Sequence, residues 1–162
     1  MIIEKADVLN AYLKAGISPI LMKDVTSDTF INSVVLKANI DKSELVGHYE
    51  DVEYLPPAWY DELIEKSKNG YSMLVIENIN EVSVEEQTKF IEILKYKKVS
   101  TFDLPKNCLI VVTCINSSEK RLNEEIDSLV AYVERRGLYG YRSYKKKIIT
   151  NISFLWSYFS KY

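Results

Sequence analysis

Histidine and cysteine are scarce in this sequence. Among its 162 residues there are one histidine, His48, and two cysteines, Cys108 and Cys114, without a C-x-x-C pattern. Zinc sites take several such ligands at short spacing, so the sequence gives a zinc site almost no support. The two cysteines fall in one predicted strand and on the same face of it, which argues against a disulfide between them.

Long apolar runs and a signal peptide are also lacking. No stretch approaches the roughly 20 apolar residues of a membrane-spanning helix, and the start, M-I-I-E, has none of the features of a signal peptide. We therefore expect an intracellular, cytoplasmic protein. The length suits one domain with a full core, and the apolar and charged fractions, 47% and 27%, are those of a globular protein.

Acidic residues are absent from the C-terminal segment. Residues 1–134 carry 14 basic and 23 acidic side chains, whereas residues 135–162 carry seven basic and no acidic ones. We therefore divide the chain into an acidic domain, 1–134, and a basic, aromatic segment, 135–162. That segment ends in an amphipathic helix and is expected to pack on the same domain.

Three interpretations fit the basic segment. Its helix can pack on the sheet or dock to a second subunit, with the lysines as a solvated rim. Tyrosines between Arg and Lys can instead stack on bases and neutralise phosphates, as in a nucleic-acid-binding module. A basic amphipathic helix can also bind an anionic membrane surface. The candidate residues for contact with a partner or nucleic acid are Arg135, Arg136, Arg142, Tyr144, Lys145, Lys146, Lys147 and Trp156.

The stretch Y-S-M-L-V-I-E-N-I-N, residues 71–80, predicts a buried strand with polar groups at its carboxyl end. Its four consecutive apolar residues suit a strand that is covered on both faces. Ligands of open parallel α/β sheets bind outside the carboxyl ends of the strands. Chemistry is therefore expected at Glu77, Asn78 and Asn80, although a core strand that runs into a loop is the simpler alternative.

The rest of the chain predicts strands and helices in alternation. Proline is well placed to begin the helix after Pro57, and the S-x-x-E pattern from Ser83 predicts a capped helix start. A strand, a loop and a helix from Phe30 give the layout of a P-loop. The predicted helices are 3–14, 30–38, 58–68, 83–94 and one from Ser118; the predicted strands are 17–22, 108–115 and 130–133; a turn is predicted at 39–47.

Several of these motifs, taken in order, resemble the MoxR branch of the AAA+ ATPases. The family has a "DLVG" turn, a "PPxW" helix start, a Walker B strand ending "DEIN" and a sensor-1 strand "LPxNxxVIATxN". The matching segments, within a resemblance that covers roughly 16–134, are E-L-V-G (44–47), P-P-A-W (56–59), E-N-I-N (77–80) and L-P-K-N-C-L-I-V-V-T-C-I-N (104–116).

The resemblance implies a P-loop NTPase fold of the α/β class. It implies a mainly parallel sheet of four or five strands sandwiched by helices, without the family's helical lid. It also implies that residues 95–102 form a shortened β-hairpin insertion.

The resemblance also implies that the P-loop signature has been replaced. The family's G-x-x-x-x-G-K-[ST] wraps phosphates with backbone N–H groups and reaches them with its lysine. Aligned on the preceding strand, Lys23 and Asp28 stand at the two glycines, Thr29 stands at the lysine, and Phe30 stands at the Mg²⁺-binding Ser/Thr.

The remaining catalytic positions are altered too. Glu77 falls at the Walker B aspartate that holds Mg²⁺, and Asn78 falls at the glutamate that activates water. An asparagine cannot take up a proton, so general-base catalysis is lost. Asn116 fits the sensor-1 asparagine, while Ser128 and Leu129 occupy the place of the arginine finger.

We therefore expect a catalytically inactive AAA+-like domain, or pseudo-ATPase, without a cofactor or a metal. It is expected to act as a protein-interaction or assembly module, either with itself or with an active AAA+ partner. One alternative is a nucleic-acid-binding module that uses the basic segment. Another is a weak nucleotide-binding switch without hydrolysis, and a divergent ATPase is the remaining enzyme alternative.

Overall fold

A computed structural model of the protein describes residues 11–12, 15, 17–27, 30–135 and 141–143. The strands are β1 Ile20–Lys23, β2 Ser33–Lys37, β3 His48–Glu50, β4 Glu53–Leu55, β5 Ser72–Glu77, β6 Lys98–Val99, β7 Phe102–Asp103, β8 Cys108–Cys114, β9 Ala131–Arg135 and β10 Tyr141–Ser143. The helices are α1 Lys42–Val46, α2 Ala58–Ser67, α3 Ile91–Tyr96 and α4 Glu124–Leu129, with 3₁₀ turns at Ile79–Glu81 and Glu86–Phe90.

The main sheet has six strands in the order β10-β9-β1-β8-β5-β2. The pairs from β9 to β2 are all parallel, and β10 adds an antiparallel strand at one edge. The predicted α/β class, with a mainly parallel sheet and helices around it, is therefore confirmed. The predicted strands at 73–76, 108–115 and 130–133 correspond to β5, β8 and β9, and the strand predicted at 17–22 forms at Ile20–Lys23.

The central strands β5 and β8 are buried on both faces, as the apolar runs predict. On one face Leu74 and Ile76 of β5 belong to a core cluster that includes buried residues of all four helices. On the other face Met73 and Val75 pack in a second cluster with Tyr12, which is helical, and other apolar residues. Central strands buried on both faces are typical of parallel sheets covered by helices.

The helix predicted over residues 30–38 is wrong, because Ser33–Lys37 form strand β2, parallel to β5. Val34 and Leu36 are buried, whereas Val35 between them is 38% exposed, so burial alternates with the period of a strand. Asn32 has a φ of 47°, in the left-handed region, which turns the backbone just before the strand and is incompatible with a continuous helix. In the predicted layout of strand, loop and helix, the place of the helix is therefore taken by a strand.

Three other predictions differ in detail. The turn predicted at 39–47 contains helix α1, and the helix predicted at 83–94 is a 3₁₀ turn followed by α3. The expected contact at its start is present, because Ser83 Oγ accepts from Glu86 N at 3.2 Å. The helix predicted from Ser118 begins later, at Glu124, where Asn123 caps it. Apart from Ala11 and Tyr12, the residues of the helix predicted at 3–14 lie outside the described residues.

Two short hairpins, β3–β4 and β6–β7, lie beside each other. The second confirms the hairpin expected at 95–102, while the first was not predicted. Tyr54 of β4 stacks on Phe102 of β7 with ring centroids 5.6 Å apart, and Phe102 in turn contacts Tyr60 of α2 at 5.8 Å. These ring contacts hold the two hairpins against each other and against α2.

Candidate functional site

The carboxyl ends of β1, β8, β5 and β2 meet at one edge of the sheet, because these four strands are adjacent and parallel. Lys23 ends β1 and Asp24 follows it, Glu77 ends β5 and Asn78 follows it, and Asn116 comes after β8. The structure therefore brings together at one edge of the sheet five polar residues from three separate segments, four of which, all but Asp24, the sequence analysis names.

Asp24 links the carboxyl ends of the neighbouring strands β1 and β8. Its backbone N donates to Cys114 O at 3.0 Å, and its carboxylate accepts from Asn116 N at 3.1 Å. The backbone N–H of Asn116 is thus already satisfied from within the chain. The same contact holds the Asp24 carboxylate at the carboxyl ends of β1 and β8, where its negative charge opposes the binding of an anion.

Asn78 lines an open cleft between the ends of β5 and β2. It adopts the left-handed conformation, with a φ of 49°, and its backbone N donates to Thr113 Oγ1 at 2.9 Å. Its side-chain amide lies 3.4 Å from Glu81 Oε1. The cleft has a volume of about 470 Å³ and is lined by Lys37, Ala38, Asn39, Glu77, Asn78, Glu81 and Val82.

Asn80 faces the protein interior and braces two segments. Its side-chain oxygen accepts from Ile115 N at 2.8 Å, and its amide donates to Ile115 O at 2.7 Å and to Lys120 O at 3.2 Å. Asn80 is only 5% exposed. It was predicted among the candidates for chemistry, but its contacts give it a structural role.

Two further polar residues that the sequence did not single out extend this brace. Gln87 is fully buried and donates to Val82 O at 3.1 Å and to Arg121 O at 2.9 Å. Its side-chain oxygen accepts from Asn123 N at 2.8 Å. Asn123 in turn accepts from two backbone N–H groups at the start of α4. Buried amides that satisfy backbone groups in this way hold loops in one conformation.

The side chain of Lys23 lies over an aromatic ring and is not placed to bind a phosphate. Its Nζ lies 5.6 Å from the centroid of the Tyr132 ring, where the ring face attracts a cation. Burial raises the pKa of the nearby Cys114 thiol to about 11, with Lys23 acting in the opposite direction. Burial likewise raises the pKa of Cys108 to about 11, so neither thiol is ionised at neutral pH.

Nothing in the described part of the loop after β1 resembles a phosphate cradle. Ser33–Lys37 form β2, so no helix from residues 30–38 directs its N-terminus at the edge. Asp28 and Thr29, which the sequence analysis aligns with the P-loop signature, lie outside the described residues. Within the described ranges, no group of three or more His, Cys, Asp or Glu side chains is placed to hold a metal ion.

The residues predicted to contact a partner or nucleic acid are reached by the structure only in part. Arg135 lies in β9 and Arg142 in β10, where they belong to an antiparallel pair of strands. Arg136, Tyr144, Lys145, Lys146, Lys147 and Trp156 lie outside the described residues. Of the helices that the structure describes, none has the length and apolar character to cross a membrane.

Comparison with known proteins adds no family to this description. No model of a known protein family matches the chain, and no curated protein sequence gives a significant match to it.

Proposed function

We propose that this chain is a catalytically inactive, AAA+-like domain of the MoxR type that works as a protein-interaction or assembly module. The observation that carries the proposal is that Ser33–Lys37, where the resemblance places the helix after the P-loop, form strand β2. A P-loop needs a helix directly after its loop, because the N–H groups at the start of that helix hold the phosphates. A strand in this position supplies no such group of donors.

The charges at the edge support the loss of nucleotide binding. Besides Glu77 at the Mg²⁺ position, Asp24 and Glu81 place two carboxylates at the ends of β1 and β5. One such charge opposes a phosphate by up to about 4 kcal/mol at about 4 Å and an effective dielectric near 20. Micromolar affinity corresponds to only about 8 kcal/mol, so two such contacts would cancel it.

The groups present also lack the means for hydrolysis. Asn78 occupies the position of a general base, and its neutral amide cannot accept the proton of an attacking water. Its backbone conformation is fixed by the contact with Thr113. The adjacency of β5 and β8 supports the resemblance to the family, because the two strands that carry its Walker B and sensor-1 motifs have to serve one site.

The test is calorimetric titration of the full chain with ATP and Mg²⁺, repeated with ADP. We expect no binding heat and no shift of the unfolding temperature at millimolar nucleotide. The matched variant is Asn78→Glu, which restores a carboxylate at the base position; it too should release no phosphate from ATP, because the phosphate cradle is still missing.

Two results would count against the proposal. Saturable nucleotide binding without hydrolysis would favour the nucleotide-binding switch. Phosphate release by the wild-type chain, above that of a blank without protein, would establish a divergent ATPase.

A further inference from the structure

Strand β2 is the outermost of the described strands on its side of the sheet, and only one of its edges is paired. Met73 N donates to Asn32 O at 3.2 Å. Because backbone groups of successive residues in a strand point to opposite sides, Val34 and Leu36 also bond towards β5. The backbone groups of Ser33, Val35 and Lys37 therefore point away from the sheet.

This open edge has a composition that favours pairing with another strand. Val35 is 38% exposed, and Ile31, in the turn just before the strand, is 42% exposed. Residues 31–37 contain neither proline nor glycine. Native proteins guard such edges with charged side chains or cover them. Here Lys37 ends the strand, and Lys66 Nζ donates to Ser33 O at 2.7 Å.

We propose that β2 pairs antiparallel with β2 of a second copy of this chain, around a two-fold axis at Val35. The inference rests on the proposed role in assembly and names the surface and the partner. In this register the outward backbone N–H and C=O of Val35 bond with the same groups of the other Val35. Ser33 lies opposite Lys37, and both exposed valine side chains are covered.

The shape at the two ends of β2 fits this register. At the carboxyl end an open groove of about 340 Å³ is lined by Val35, Leu36, Lys37, Asn39, Ile40, Asp41 and Glu44. In the proposed pair, the turn before β2 of the second copy comes next to this groove. The exposed Ile31 of each copy thus approaches the groove of the other, which removes two more apolar side chains from water.

The charges at the two ends fit as well. Asp41 and Glu44 stand with Lys37 at the carboxyl end of β2, and Lys66 and Glu62, 3.3 Å apart, stand at its amino end. Antiparallel pairing brings the two carboxylates of one copy towards Lys66 of the other, and Lys37 towards Glu62. A two-fold axis repeats this contact, so one strand supplies both halves of the complementarity. This self-complementarity favours a second copy over an unrelated extended peptide.

Sedimentation velocity of the full chain over a range of concentrations tests the proposal. We expect a wild-type dimer, and we expect Val35→Lys to weaken dimerisation by about tenfold or more, because two lysines then face each other across the axis. The control is Val52→Lys, the same change at a valine that is 97% exposed in the β3–β4 turn. It should dimerise like the wild type.

Val35→Cys provides a test that adds no charge. Two residues in a hydrogen-bonded antiparallel pair have Cα atoms about 5.5 Å apart, which is within the range of a disulfide. Oxidation by diamide, which takes up the two thiol hydrogens, should join the copies covalently through residue 35. The variant Val52→Cys should give little cross-linking, and Cys108 and Cys114 are buried in both.

A wild-type chain that stays monomeric at high concentration would overturn the inference, as would Val35→Lys dimers of wild-type strength. So would equal cross-linking at residues 35 and 52, or a dimer replaced by binding of an extended peptide to β2. Each of these results leaves the nucleotide titration unchanged. The pseudo-ATPase proposal would then stand while the second copy is rejected.

Discussion

Asn78 and Asn80 are two residues apart, yet their side chains do different work. Asn78 is partly exposed in the cleft, and its amide reaches only the neighbouring Glu81. Asn80 is turned inwards and satisfies three backbone groups of the loop after β8. An amide has both donors and an acceptor, so a single buried asparagine can bond the N–H and the C=O of one residue.

We predict that Asn80→Ala lowers the free energy of unfolding by about 2–4 kcal/mol, because it leaves the N–H and C=O of Ile115 without their partner. The control is Asn116→Ala, since the Asn116 side chain is exposed and only its backbone N bonds to Asp24. That change should stay within about 0.5 kcal/mol. Urea unfolding of both variants measures the difference, and equal losses would contradict the assigned role of Asn80.

The sequence was sufficient to predict where Glu77 and Asn78 lie, but not the role of Asn80. The position of the first two follows from the end of a buried parallel strand, which is a local pattern. The partners of Asn80 at Ile115 and Lys120 lie 35 and 40 residues away in the chain. A local sequence pattern contains no information about contacts so far apart in the chain. The buried Asn80 and the partly exposed Asn78 therefore look alike in the sequence.

At the scale of elements, β2 shows how one apolar pattern fits two structures. Apolar residues at 30, 31, 34, 35 and 38 match the spacing of a helix, whereas burial in the structure alternates over Ser33–Lys37. Two adjacent β-branched valines in a run of five residues favour a strand. The pairing with β5 decides between them, because it satisfies the backbone of β2 and buries Val34 and Leu36.

Gly47 connects α1 to the β3–β4 hairpin in a conformation that only glycine adopts easily. It has a φ of 81° and a ψ of −170°. A Cβ at this position would lie 2.8 Å from Tyr54 Oη and even closer to Leu55 O. The Tyr54 hydroxyl donates to Val46 O, and Trp59 Nε1 donates to Leu45 O at 2.9 Å. The end of α1 is therefore held from two sides.

We predict that Gly47→Ala lowers the free energy of unfolding by about 3 kcal/mol, from backbone strain and overpacking together. Gly70→Ala is the matched control, because Gly70 also has a positive φ, 137°, but a Cβ there meets no atom within 4 Å. It should lose only the strain, about 1 kcal/mol. Thermal or urea unfolding measures both variants, and a Gly47→Ala chain as stable as the Gly70→Ala chain would show that the hairpin can shift freely.

At the scale of the whole molecule, one sheet joins two cores. The strands β1, β5 and β8 contribute alternate residues to the cluster on each face. If one cluster comes apart, the strands that it covered lose burial on that face. Because the same strands support the cluster on the opposite face, we expect the two cores to be lost together. The two small hairpins contribute less, because β3 is exposed along its whole length.

We therefore predict a gradient of hydrogen exchange across the molecule. All seven residues of β8 are buried, and β8 is paired on both sides, with β1 and β5. Its amides should exchange only through global unfolding, and those of the β3–β4 hairpin through smaller local openings.

Hydrogen exchange of the full chain, followed by mass spectrometry in rising sub-denaturing urea, separates the two cases. Peptides from 108–114 should show an opening free energy equal to the global one, with a strong urea dependence, whereas peptides from 48–55 should open at lower cost and with little urea dependence. Equal protection of both segments would mean that the hairpin unfolds with the sheet, and early exchange of β8 would mean that the two cores open independently.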